Sequence, residues 1–238
     1  MRYINLIFIS VFLFTGQAQA TGFEEKNLVN GSLAILQDFM TAEDAQIPSD
    51  LIKKAKAIII FPAMYKGGFI FGARYGKGVV SVRSPKTDKW GPPAFIHTLG
   101  GSWGLQVGLE AVELVLLVMS QRGMEGILQG KFTLGGDIAV AAGPVGRYSE
   151  ASMDILLKTG IFSYSRTRGI FAGVSIKGAA LVVDEKANYR YYRKSYSTRD
   201  LLMTDKVKLV PQSAKRFMTG LDNLAFPEQL AQPAMPIN

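Results

Sequence analysis

Apolar residues recur at mostly helical spacing over 26–41, where Leu28, Leu33, Leu36, Phe39 and Met40 stand among polar neighbours. That spacing predicts an amphipathic helix. Ile47-Pro48-Ser49-Asp50 opens a second helix, with Pro48 near its first turn, running to about residue 56. Residues 57–61 read AIIIF and predict a buried strand closed by Pro62. The pattern then changes to short β-type runs at Phe69-Ile70-Phe71, 79–82 and Ala94-Phe95-Ile96. Turns are expected between them at Lys66-Gly67-Gly68, Tyr75-Gly76-Lys77-Gly78 and Trp90-Gly91-Pro92-Pro93.

Strand patterning returns over 106–110 and 112–120, followed by a short helix over 124–129 and a strand over 138–142. Residues 149–158 are helical in pattern. Residues 161–166 and 170–177 read as a hairpin joined by Thr167-Arg168-Gly169, with 179–183 continuing its second arm. Helices are expected over 185–193 and 213–224, before a proline-bearing tail. No strong internal repeat and no long linker appear. The fold class is therefore α+β: a mostly antiparallel twisted sheet with Gly-rich turns, flanked by N- and C-terminal helices.

The first twenty residues stand apart. They read MRYINLIFISVFLFTGQAQA, with Arg2 as a basic start, an apolar stretch over 3–14 and a small-x-small site at Ala18-Gln19-Ala20. This is the pattern of a secretory signal peptide cleaved between Ala20 and Thr21. The alternative is an uncleaved N-terminal anchor, but the run is short of the roughly 20 residues of a membrane span. The expected location is periplasmic or secreted. Removal of residues 1–20 leaves a chain long enough for one substantial core.

Charge narrows the partners. The formal net charge is +8, which favours anionic surfaces, and export makes nucleic acid the poorer choice. The chain has no cysteine, so it stands without disulfides and lacks a lipoprotein acylation site.

Three kinds of chemistry can be tested against the residues. Gly100-Gly101-Ser102-Trp103-Gly104 matches G-x-S-x-G, the nucleophile elbow of serine hydrolases. That mechanism needs an acid and then a histidine later in the chain, whereas His97 is the one histidine and precedes Ser102. A glycine turn with a buried Trp103 is the alternative reading. A zinc set lacks its Cys and His ligands, and Asp137, Asp154 and Asp184 read as cap or turn residues. Residues 132–147, FTLGGDIAVAAGPVGR, resemble a phosphate cradle in composition. They lack the Lys-Ser/Thr pair of a P-loop, and Pro144 removes a backbone N–H. No catalytic residue, metal or cofactor is assigned.

What remains is a basic, aromatic-studded β domain. Lys53, Lys54, Lys56, Lys66, Arg74, Lys77, Arg147, Arg166, Arg168 and Lys177 fall mainly at expected loops or helix ends. They either gather on one face toward anionic headgroups or point several ways into solvent; the residues leave both readings open.

Several stretches together resemble the SYLF-domain lipid-binding family, which includes the yeast actin-patch regulators. They are residues 55–62, GGFIFGARYGKG at 67–78, Trp90-Gly91-Pro92-Pro93, GSWGLQVGLE at 101–110, 132–147, SYSRTRGIFAGVSIKG at 163–178, and Tyr191-Tyr192. The order and spacing hold from about Glu24 to Leu202. The resemblance implies a non-enzymatic module over 21–202, with 1–20 as signal peptide and 203–238 as a C-terminal helix and tail. Eukaryotic relatives bind phosphoinositide membranes through an N-terminal amphipathic helix and basic residues, and the fungal ones bind actin. No SH3 domain follows in this sequence. Arg193 stands where relatives often have glycine, which implies a local turn difference.

The expected function is peripheral docking on anionic phospholipid or lipopolysaccharide. The candidate lipid-binding residues are Lys53, Lys54, Lys56, Arg74, Lys77, Arg147, Arg166 and Arg168. The alternatives are an envelope scaffold that binds protein and a serine hydrolase using Ser102.

Overall fold

The computed structural model describes residues 22–42, 46–68, 71–103, 108–144, 160–167, 170–171, 176–203 and 206–226. Two helices lead in, α1 (Phe23–Thr41) and α2 (Ser49–Lys54). Four long strands follow: β1 (Ala57–Gly68), β2 (Phe71–Val82), β3 (Ala94–Trp103) and β4 (Gly108–Val118). Next come α3 (Gln121–Leu128), β5 (Lys131–Thr133), β6 (Val140–Ala142), β7 (Ile161–Thr167), β8 (Ile170–Phe171) and β9 (Ala180–Val183). The described chain closes with α4 (Glu185–Tyr192), α5 (Thr198–Met203) and α6 (Gln212–Ala225). The strands form one sheet in the order β5-β9-β3-β2-β1-β4-β7-β6, with β8 paired to β7. The β6–β7 pair is parallel and the long central pairs are antiparallel, so the α+β reading holds.

The apolar run AIIIF explains the centre. Ala57, Ile58, Ile59, Ile60 and Phe61 all have 0% exposure, because β1 is paired on both edges and covered on both faces. On one face α1 crosses the sheet, its apolar side (Val29, Leu36, Phe39) buried with Phe217 and Leu221 of α6. On the other, Ile127 of α3, Phe132 of β5 and Leu181 of β9 gather against Ile59, Val80 and Ile96. Helix α4 begins at Asp184, whose side chain accepts the Ala187 N–H at 2.9 Å, and Asp137 accepts the Thr133 N–H at 2.7 Å. Both are the cap and turn residues expected of them.

The structure corrects three expectations and adds one element. The first strand does not end at Pro62: β1 runs on to Gly68 through a register shift between Ile60 and Ala63. A proline has no N–H for a ladder, and a bulge is where a sheet tolerates that loss. Tyr75-Gly76-Lys77-Gly78 is no turn but the middle of β2. Gly78 is there for space, since a Cβ at that position would strike the Ile60 carbonyl and lie 2.6 Å from the Phe61 ring. Residues 180–183 do not extend the hairpin after β7; they cross to pair with β3 and β5. The short helix α5 was not foreseen. The pattern over 149–158 lies outside the described residues.

Two outcomes follow for stability. Gly78→Val overpacks the bulge and lowers unfolding free energy by about 1–3 kcal/mol in urea denaturation; an unchanged midpoint contradicts this account. Arg193 ends α4 in the left-handed region, at φ 56. Removing its Cβ through Arg193→Gly raises stability by about 1 kcal/mol; a fall shows that the side chain compensates for its backbone.

Candidate functional site

Helix α1 is fixed to the sheet at both ends by charge. Near its start, Lys77 of β2 donates to Glu24 at 2.6 Å, with both side chains well exposed (44% and 58%). Near its end, Arg166 of β7 donates from Nε to Glu113 at 2.5 Å and from Nη2 to Asp38 at 3.2 Å, and lies 5.4 Å from the Phe39 ring centroid. The hydrogen bond to Glu113 holds the Arg166 pKa above its ordinary value, against the opposing effect of burial. The hydrogen bond to Glu24 raises Lys77 likewise. Because the folded-state pKa of Lys77 is raised, that pair's contribution is present up to the ordinary lysine range. It is lost as pH rises through the raised value.

Beyond α1, the same face of the sheet carries exposed side chains. Tyr65 of β1, Tyr75 of β2 and Leu99 of β3 are register partners in three adjacent strands. Their exposures are 48%, 44% and 50%, so a continuous apolar and aromatic row faces solvent. The row continues to exposed Ala111 of β4, opposite Tyr65. One pair inward, Lys77 stands opposite half-buried His97.

The opposite face of this half of the sheet is cationic. The register shift in β1 moves Lys66 onto the face that carries Arg74, its cross-strand partner. Arg74 is 8% exposed, and burial lowers its pKa. Lys66 lies 3.7 Å from Glu110 of β4.

The sequence-predicted basic residues are thus not brought together as one set. Arg74, Lys77 and Arg166 belong to the half of the sheet beyond its centre, on two different faces. Lys53, Lys54 and Lys56 sit where α2 passes into β1, about 33 Å from Lys66 along the strand. Lys53 pairs with Asp50 at 3.1 Å, Lys54 is exposed and Lys56 is half-buried. Arg147 and Arg168 lie outside the described residues. The amphipathic helix implied by the family resemblance spends most of its apolar side on the core; it turns Lys26, Asn30 and Gln37 outward, and Phe23 at its first turn is 67% exposed. Sequence reasoning missed the Tyr65–Tyr75–Leu99 row because its three members belong to separate strands.

The Ser102 reading loses its geometry. Gly100 to Trp103 is strand, not a strand-to-helix elbow; Ser102 is the register partner of Gly72. His97 lies on the same strand, about 17 Å away at ~3.4 Å per residue. The side chain of Ser102 is outside the described residues.

The described part of the stretch 132–147, residues 132–144, is occupied with its own packing. The Gly143 N–H donates to the Ser163 carbonyl at 2.9 Å, and the Gly135 N–H to the Ile138 carbonyl at 2.7 Å. The Tyr164 hydroxyl donates to the Pro144 carbonyl at 2.8 Å, and any Cβ at Gly143 would enter the Tyr164 ring. A phosphate cradle needs free N–H groups, and these two are already bonded within the chain.

Comparison with known proteins fits the resemblance. Residues 99–224, more than half of the chain, match the Ysc84 family, described as Las17-binding protein actin regulator. The SH3 domain-containing YSC84-like protein 1 of Rattus norvegicus is 35% identical over 173 residues, which is 72% of this chain and 49% of the relative. Its namesake from Homo sapiens is 34% identical over 196 residues, 82% of this chain and 56% of the relative. Protein YSC84 of Saccharomyces cerevisiae is 34% identical over 188 residues, 77% of this chain and 39% of the relative. The chain therefore spans about half the length of the mammalian relatives and less of the yeast one. The family description is of a binding protein and regulator, which accords with the non-enzymatic reading.

These relatives overturn the expected periplasmic or secreted location. They are animal and yeast proteins, and regulation of actin points to the cytoplasm. The lipopolysaccharide and envelope-scaffold expectations rested on export and lose that support. Residues 1–20, read as a signal peptide, lie outside the described residues. Among the described residues no helix is long and apolar enough to cross a membrane.

The two attachments of α1 differ in weight. Arg166→Met leaves Glu113, 29% exposed, without its cation and costs about 1–3 kcal/mol. Lys77→Met breaks an exposed pair and costs less than about 1 kcal/mol. Equal losses in thermal denaturation contradict the assignment.

Proposed function

The chain belongs to the Ysc84 family, and on that premise we propose that it is a non-enzymatic binding module that docks peripherally on anionic phospholipid membranes. The observation that carries this reading is the exposed Tyr65–Tyr75–Leu99 row. Tyrosine suits a membrane interface, because its ring is apolar and its hydroxyl stays wet. Lys77 lies on the same face, within about 7 Å of the row along its strand, and a cation near an anionic surface contributes about 1 kcal/mol; Lys66 and Arg74 belong to the same end of the sheet on its other face. Arg166 belongs to the same half of the sheet. Arg147 and Arg168 remain in the proposed set on sequence alone. Lys53, Lys54 and Lys56 stand at the other end of β1, beyond the roughly 10 Å reach of screened charge, and have a secondary role.

A protein partner is the second reading. It is supported by the name of a yeast relative, LAS seventeen-binding protein 3, and by the same exposed row, whose aromatic residues suit a protein interface.

Cosedimentation of the full chain with vesicles separates them. Binding to phosphatidylcholine vesicles containing phosphatidylserine is expected, weakening steeply as salt rises. The triple variant Tyr65→Ser/Tyr75→Ser/Leu99→Ser loses at least about tenfold in affinity, from lost apolar burial. Lys53→Gln/Lys54→Gln/Lys56→Gln loses less. Equal binding to purely neutral vesicles, or indifference to the triple variant, contradicts the membrane reading.

A further inference from the structure

On the face opposite α1, three polar side chains stand at neighbouring register positions of three adjacent strands. Lys66 of β1 stands directly across from Arg74 of β2. Arg74 stands across from Gly100 of β3, and the next residue of β3 on this face is Thr98, across from Gly76. Directly opposed residues have Cβ atoms about 5 Å apart and diagonal ones about 7–8 Å apart, within reach of an arginine. All three are withdrawn from solvent: Arg74 is 8% exposed, Thr98 is 1% exposed, and the Lys66 side chain is 11% exposed.

Two of the three, Arg74 and Thr98, carry unsatisfied polar atoms. Arg74 Nε and Nη1 and Thr98 Oγ1 are buried without a hydrogen-bond partner. Nε and Nη1 lie on different edges of the guanidinium, so neither bidentate edge is closed by a carboxylate of the chain. Among the described residues, Glu110 is the one acidic partner here, and it stands 3.7 Å from Lys66. Gly76 and Gly100 place no side chain beside Arg74 on this face. Buried charges in proteins are paired or bound to something. Here the chain supplies two cations, one carboxylate and one idle hydroxyl, which leaves an anion to be supplied from outside.

We propose that Lys66, Arg74 and Thr98 form a binding site for a phosphate group. A planar guanidinium with open edges, an ammonium and a hydroxyl offer donors in several directions. That matches the several oxygens of a tetrahedral phosphate better than the two of a carboxylate. The phosphate comes from a lipid headgroup or is free in solution. The first source rests on the membrane reading above; the site itself does not.

Equilibrium dialysis of the full chain against inorganic phosphate and against glycerophosphate tests the site, with vesicle cosedimentation alongside. The wild type is expected to take up at least one of the two, and Arg74→Gln to bind it at least about tenfold more weakly. In phosphate-free buffer Arg74→Gln should melt no lower than the wild type, because a buried unpaired cation is gone, yet phosphate should no longer raise its melting temperature. Uptake of glycerophosphate with parallel loss of vesicle binding in Arg74→Gln supports a headgroup source. Uptake of inorganic phosphate with vesicle binding unchanged by Arg74→Gln supports a free phosphate. Uptake that depends on Arg74 in a protein that binds no vesicle sinks the membrane reading and leaves the site standing. If Arg74→Gln does not fold, Thr98→Val and Lys66→Gln replace it, each expected to weaken uptake. No uptake of either species by the wild type, or uptake indifferent to these substitutions, overturns the proposal.

Discussion

The fold turns on one strand that changes face partway along. Residues Ala57–Phe61 are inaccessible from either side, so the sheet must carry cover on both faces. The register shift between Ile60 and Ala63 then reverses the alternation of β1. Before it, the strand is core. After it, Tyr65 comes to the surface and Lys66 to the opposite, cationic face. A one-residue change of phase moves every later side chain to the other face, so the bulge is what separates the buried half of β1 from the half that exposes Tyr65. Gly78 belongs to that same constraint, because its missing side chain makes room for Phe61 and the Ile60 carbonyl.

The position of α1 depends on this arrangement. The helix crosses the α1 face where the strands are still apolar, and its two end pairs, Lys77–Glu24 and Arg166–Asp38, mark where that cover stops. Had the helix been shifted toward the hairpin end, Tyr65, Tyr75 and Leu99 would be core. Its apolar side is committed to Phe217 and Leu221 of α6, which leaves the exposed row on the strands as the surface proposed for membrane contact.

Much of the order of elements was legible in the residues. The period of Leu33, Leu36, Phe39 and Met40 located α1, and the AIIIF run located the central strand. Pro62 and the glycines from Gly67 to Gly78 misled, because local rules read them as stops and turns. Long-range pairing overrode them: a bulge accommodates the proline, and neighbouring strands on both edges hold the glycines extended. The candidate site was half legible. Arg74, Lys77 and Arg166 were singled out by charge, but their burial and their partners Glu24, Asp38 and Glu113 depend on contacts far apart in sequence. The tyrosine row had no local signal at all, since cross-strand register alone assembles it. Location was misread for a different reason: an apolar run with a basic start fits the general form of an export signal, and the fit rested on form alone.

In the proposed docking, the Tyr65–Tyr75–Leu99 end faces the anionic surface. The absence of cysteine makes a direct measurement straightforward, because a single introduced thiol can be labelled without side reactions. An environment-sensitive fluorophore on Leu99→Cys, compared with one on Lys54→Cys, reports which end enters the interface on mixing with phosphatidylserine vesicles. The account expects a blue shift and quenching by lipid-borne quenchers at position 99, with little change at position 54. A shift at position 54 with none at position 99 would contradict it.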